Sequence, residues 1–418
     1  MTGGRDSAVP GNAVPSNAEV RSVATDATGP WPRDLAQLRG RDPYDALAGT
    51  RVPGWVRATA RGRQIAIQLR KRSPVDVGGL LGVEPFVMAK TVGCALSAAA
   101  RHGDAATIPA LTDALEATGG SLGDGSYGYE FDVQTRWAFY PAGSPNLIAT
   151  VFAARGLAAA GVASGAPPLV AGAVRAAGFV QGSLHAAEPR PYYRYTLTSD
   201  RLVHNANLLG AGLVAMMAAL GGEDGSRATA LSAARAAALT SMDAQRDDGS
   251  WPYGKDAFLG WSDNFHTAYN LDGLLQVWLA TGDERVRACL DRGVLHWQAD
   301  FFGPDGAPKY YPHKALPYDI HSAGTAIDVA ARLSTWGWDT GALAGRVAEW
   351  TRRHLVDPAT GATYFQKRRL FTDRRHFVRW GDAHLGLGHA SLALVREGRR
   401  DPLEAAVARA SGVMSDAE

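Results

Sequence analysis

At 418 residues, with 46% hydrophobic and 20% charged residues, the chain is long and apolar enough to bury a sizeable core. Forty-three Lys and Arg against forty-one Asp and Glu leave a net charge of +2, which excludes the basic footprint that nucleic acid or an anionic membrane selects. The two cysteines, Cys94 and Cys289, each sit in an apolar helical pattern, which excludes a disulfide framework and fits a reducing cytoplasm. The N-terminus carries Arg5 and Asp6 but no apolar h-region, and no apolar run reads as a membrane span, so a soluble, cytoplasmic protein is expected.

Residues 1–45 are rich in Gly, Ala, Ser, Pro and Asn and are expected to be mostly disordered, since they bury too little to offset ordering entropy. From Trp55 the helical patterns come in pairs: 55–72 with 86–102, 106–118 with 145–161, 168–185 with 203–220, 226–245 with 262–281, 283–301 with 318–335, and 341–355 with 379–397. Twelve helices in six hairpins follow, filling residues 46–400, with 401–418 as a C-terminal tail. Superposing the second helix of each pair places Lys90, Ile148, Asn207, His266, His321 and Asp382 at one repeat position, separated by 58, 59, 59, 55 and 61 residues. That spacing is the mark of a repeat architecture. Related aromatic turns precede five of those helices, at 124–129, 191–195, 248–253, 305–311 and 360–365.

The second helices are small and apolar nearly all round, as in GCALSAAA and GTAIDVAARL, whereas the first helices keep a polar face. An inner ring buried inside an outer ring satisfies both, so the expected fold is all-α, an (α/α)6 toroid. Parallel inner helices would then bring their N-termini, with free N–H groups and positive dipole ends, to one mouth.

The segment QRDDGSW at 245–251 resembles the Gln-to-Gly-x-Trp repeat of the squalene cyclase and prenyltransferase toroids, which ties outer helices together. The segments SYGYEFDVQTRWAFYPAGSPNLIAT, HNANLLGA, GWSDNFHTAYNLDGLL, DGAPKYYPHKALPYDIHSA and YFQKRRLFTDRRHFVRW together resemble a bacterial family found in extracellular-polysaccharide biosynthesis loci and described as prenyltransferase-like. The similarity spans about residues 55–397 and implies the toroid fold, without a settled reaction.

His266 and His321 fall at equivalent positions, and imidazole is the side chain best suited to proton transfer near neutral pH, so they are the candidate acid/base pair, with Tyr129 beside them. Asp319 and Asp263 serve either as helix N-caps or as substrate contacts. Asn205, Asn207 and Asn264 offer amides suited to sugar hydroxyls. Asp132, Gln134 and Arg136 alternate along an extended stretch that sends them to one side. Arg136 and Arg379 are the candidates for gripping a carboxylate or phosphate. Tyr253, Trp261 and Tyr311 provide aromatic platforms with polar edges, and Lys90 and Asp382 complete the candidate substrate-binding set.

No Asp-x-Asp-Asp acid, zinc-spaced ligand set, P-loop or dinucleotide fingerprint occurs, so neither a metal nor a cofactor is indicated. The expected partner is a small-molecule or oligosaccharide substrate, and the sequence does not give an oligomeric state. The reading is an enzyme acting on a glycosyl, specifically uronate, substrate by epimerase or lyase chemistry. Three alternatives stand beside it: a glycoside hydrolase pairing Asp132 with Asp263 or Asp319, a terpenoid cyclase-like enzyme, and a non-catalytic glycan-binding toroid.

Overall fold

A computed structural model describes residues 31–415 except 33, 119–122, 136–137 and 222–223. Thirteen longer helices carry the architecture. They are α1 (Ala60–Arg72), α2 (Ala89–His102), α3 (Ile108–Glu116), α4 (Leu147–Ser164), α5 (Pro167–Gly182), α6 (His204–Gly221), α7 (Asp224–Met242), α8 (Asn264–Thr281), α9 (Glu284–Asp300), α10 (Ile320–Thr335), α11 (Gly341–Leu355), α12 (Asp382–Glu397) and α13 (Pro402–Ser411). The even-numbered helices up to α12 form the inner ring: each packs on the next and α12 returns to α2, closing the circle. Helices α3, α5, α7, α9 and α11 lie outside them. The fold is an (α/α)6 toroid.

Glycine brings inner helices into close pairs. A Cβ on Gly93 would stand 2.3 Å from the Phe152 carbonyl oxygen, and one on Gly324 would stand 2.6 Å from the backbone of His384. Without side chains at these points, α2 meets α4 and α10 meets α12 almost backbone to backbone. Against the expectation that no apolar run reads as a span, helix α4 is long and apolar enough to cross a membrane by length and composition, but 78% of it is buried inside the ring.

The Gln-to-Trp segment makes the tie its resemblance implies. The Gln245 side chain donates to the carbonyls of Gly249 and Cys289 and accepts from Arg292, while the Trp251 indole donates to the Ser241 carbonyl. The end of α7 is thereby fastened to α9.

Three sequence expectations change. Helix α1 does not join the outer ring: Arg63 and Gln64 bond to Gln134 and the Thr135 carbonyl, and Arg375 donates to the carbonyls of Arg70 and Lys71, so α1 lies across the mouth. The segment expected to be disordered is ordered within its described part, with Leu38, Asp42 and Asp45 fully buried. Asp45 pairs with Arg70 of α1 at 2.9 Å, which explains how so polar a stretch is held. The expected tail carries α13, which packs on α4, α6 and α8.

Helix α13 is fastened by ionic contacts deep in the ring. Arg101 reaches Asp328 at 2.7 Å and Asp401 at 2.6 Å, while Arg332 reaches Asp272 at 2.5 Å, Asp328 at 3.2 Å, and Glu404 of α13. Arg155 meets Asp272 from another wall at 2.5 Å. Buried charges survive only when paired and hydrogen-bonded in this way. The ring is therefore ionic at depth, with its cavity at the helix N-termini beneath α1.

Short antiparallel hairpins form the rim. Val133–Gln134 pairs with Phe139–Tyr140, and a four-stranded sheet runs in the order 372–373, 366–367, 314–319, 309–311.

Candidate active site

The mouth is set by helix capping. Asn146, Asp263 and Asp319 accept backbone N–H groups at the starts of α4, α8 and α10. Counting from the residue before each inner helix, the second residue in is Lys90, Ile148, Asn205, Phe265, His321 or Ala383. The first five line a single cavity of about 760 Å³, enough for a sugar of one or two rings. The superposition made from sequence is therefore one residue out for α8 and α12 and two out for α6. His266 stands one residue past the position of His321, and Asn205, not Asn207, belongs to the ring.

His266 nevertheless reaches the cavity. Its Nδ1 lies 2.9 Å from both carboxylate oxygens of Asp263, which also accepts the His266 backbone N–H at 2.9 Å. With Nδ1–H directed at Asp263, Nε2 is the basic nitrogen offered to a ligand. Beside it the Tyr253 and Trp261 rings stack at 4.3 Å and 10°, with Tyr253 meeting the imidazole edge-on at 4.7 Å. That platform suits the apolar face of a sugar ring.

His321 sits on the same cavity, separated from His266 by Phe265, whose ring contacts both. It is 1% exposed. Its Nδ1 is 3.2 Å from the Trp380 carbonyl and its Nε2 is 2.9 Å from the Tyr269 hydroxyl. A carbonyl can only accept, so Nδ1 carries the proton and Nε2 accepts from Tyr269. Burial, with His384, Lys90 and Arg379 nearby, pushes His321 well below the usual histidine range and keeps it neutral. Lys90 Nζ donates to the Tyr269 hydroxyl at 3.2 Å and stands 4.1 Å over the Phe152 ring. Burial, followed by the nearby Arg379 charge, lowers its pKa to about 7.

Several other predicted residues meet at this cavity. Tyr129 and Tyr311 contribute to its wall, Tyr129 through a 2.8 Å hydroxyl contact with Tyr195, and Gln134 lies under α1. Arg379 also lines it, but its Nε donates to Asp42 at 2.6 Å, so its charge is partly spent on the N-terminal segment.

Five predicted residues do not reach it. Asp132 accepts the Ala142 N–H in the rim hairpin. Asn207 turns outward, donating to Ala237 and Ser241 and accepting from Tyr193. Asn264 bonds Phe301, Lys309 and Trp297. Asp319, fully buried and pushed up to about 6 by burial, caps α10 and accepts from Gln366 and Trp380. Asp382 accepts from Thr363 and contacts His376. In each case the polar group answers a local backbone or side-chain donor. Arg136 lies outside the described residues.

Sequence reasoning missed Tyr269, Lys71, Tyr44 and Trp380, all on the cavity wall. Tyr269 had a usable signal: it lies four residues after Phe265, on the same face of α8 one turn deeper.

The chain matches no known family model and no curated protein. Among solved structures, it is similar to a sugar epimerase from a ruminal bacterium, with a TM-score of 0.55 and 15% identity over 76% of this chain and 90% of that one. Cellobiose 2-epimerase from Bacillus thermoamylovorans gives 0.56 and 9% over 74% and 88%. An unsaturated glucuronyl hydrolase specific for heparin gives 0.53 and 13% over 74% and 86%. These likenesses establish the class of fold, an α/α toroid of the kind those sugar-processing enzymes use.

Proposed function

We propose that the protein is a carbohydrate-active enzyme that moves a proton on an anionic sugar, with epimerase or lyase chemistry on a uronate as the specific reading. The observation that carries it is the cavity's unequal chemistry. Asp263 is the one Asp or Glu among the described residues of its wall, and it is occupied by His266, whereas Lys71, Arg72, Lys90, Arg201, Lys314 and Arg379 all contribute cationic groups. Such a wall attracts an anion, and its tyrosines and Trp261 suit sugar rather than a hydrocarbon.

In this reading His266 Nε2 removes the C5 proton alpha to the substrate carboxylate, and the electrons of the C–H bond pass into the carboxylate as an enediolate, which nearby cations stabilise. For epimerisation, Tyr269 is the group that returns a proton, its developing phenolate facing Lys90. For elimination, the enediolate instead expels the C4 substituent. Fold likeness supports sugar epimerases and sugar hydrolases alike. Hydrolysis by the expected carboxylate pair has less support, because Asp132 and Asp319 stand off the cavity. A soluble polysaccharide or natural-product pathway in the cytoplasm would suit either chemistry.

Incubating the protein with uronate glycosides in deuterated water tests the proposal. Deuterium at C5 supports an epimerase, and absorbance of a 4,5-unsaturated product supports a lyase. New reducing ends without either would overturn the proton-transfer reading.

A further inference from the structure

The cations of the cavity are not equivalent. Arg379 is held by Asp42, Arg201 by Asp256 at 2.7 Å, and Lys71 by the Tyr44 hydroxyl, while Arg72 and Lys314 are exposed at the rim. Lys90 is different: it is 4% exposed, stands at the second position of α2 on the cavity floor, and contacts a phenol and an aromatic face. The carboxylate whose charge acts on it, Asp42, is engaged by Arg379. The other polar groups acting near it are Cys94 of its own helix, Tyr269 of α8, His321 of α10, His384 of α12 and Arg379, none of them anionic as placed. Asn205, 3% exposed, lines the same floor. A buried ammonium that meets only a phenol and an aromatic face, with no anion beside it, is costly unless a ligand supplies one.

We propose that Lys90 forms the seat of the substrate, taking the sugar carboxylate at the cavity floor, with Asn205 on the wall beside it. This rests on the anionic-sugar reading above and deepens it: the carboxylate binds at the floor, beside Tyr269, and not at the rim arginines. Because burial leaves the Lys90 amine part-neutral near pH 7, an arriving carboxylate converts it to ammonium. Binding therefore takes up a proton and weakens as pH rises above 7.

Isothermal titration of the full chain at pH 8, in phosphate and in Tris, with methyl glucuronide and its neutral carboxamide, tests this. The wild type is expected to prefer the uronate about tenfold or more and to take up roughly half a proton or more. Lys90→Met is expected to lose both the preference and the uptake. Lys90→Arg, charged throughout, is expected to keep the preference without the uptake. If the wild type prefers the uronate but Lys90→Met does so equally, the seat is wrong and the anionic-sugar reading survives. If the wild type binds both sugars equally, or binds neither, that reading falls and the seat with it.

Discussion

Asp263 holds the side chain and the backbone of His266 at once: its carboxylate lies 2.9 Å from the imidazole Nδ1 and 2.9 Å from the amide nitrogen of the same residue. One side chain thus starts helix α8 and orients the candidate base. The two roles separate by substitution. Asp263→Asn keeps an N-cap, so its thermal stability is expected to change by less than about 1 kcal/mol. An amide N–H facing Nδ1 would favour the other tautomer, with the proton on Nε2, and turnover is expected to fall about 100-fold. Paired melting and rate measurements check this. A loss of rate matched by a large loss of stability would speak for a structural role alone.

The phenol of Tyr269 links two walls, accepting from Lys90 and donating to His321. In Tyr269→Phe the His321 Nε2 loses its donor inside the ring. A destabilisation of about 1–3 kcal/mol is expected from chemical denaturation, together with loss of epimerisation under saturating substrate. Unchanged stability would show that the contact is not maintained in solution.

Helix α13 supplies a prediction independent of catalysis. Arg332 is fully buried and reaches Asp272, Asp328 and Glu404, so Arg332→Met removes charge from between carboxylates and is expected to cost about 3–5 kcal/mol. Nearby arginines hold Asp272, Asp328 and Asp401 below the ordinary Asp value of 3.8, against the opposing effect of burial. A carboxylate with a depressed folded pKa contributes stability that is full above its unfolded value and lost as pH falls through the folded one. Thermal melts of the wild type are therefore expected to fall steeply below about pH 4, and the variant, with less pairing to lose, is expected to show a shallower acid limb.

Asp132 distinguishes the two enzyme readings cheaply. It accepts a backbone N–H from Ala142, a bond that an asparagine oxygen also makes. Asp132→Asn is expected to retain wild-type activity and stability, checked by initial rates and a melt. A loss of glycosidic cleavage in that variant would restore the carboxylate-pair hydrolase.

The helices were legible because burial leaves a period: small apolar residues all round α2, α6 and α10 could only belong inside another layer. That residues at the helix starts gather around one mouth was legible as well, since polar residues repeat there. Register was not. His266 and His321 look equivalent because each follows a polar residue by two, yet Asp263 is a cap and Asn264 is not, which moves the helix start by one residue. Asn207 and Asn264 look like ligand groups in sequence because a buried amide bonding backbone carbonyls has the same composition as one awaiting a sugar. Tyr269 was hidden as one more large residue on a helix face. Asp42 lay in a segment whose composition argues against order, and its partner Arg379 is 337 residues away. Contacts that close a ring have no local signature.

Proton exchange between His266 and a sugar carbon is the step on which the mechanism turns. The direct measurement follows loss of the C5 proton signal of a uronate glycoside by proton NMR in deuterated water, comparing the wild type with His266→Gln at matched concentration. The wild type is expected to exchange this proton, and the variant, melting within a few degrees of it, is expected to exchange at least about 100-fold more slowly. Exchange at the wild-type rate in a folded His266→Gln protein would contradict it.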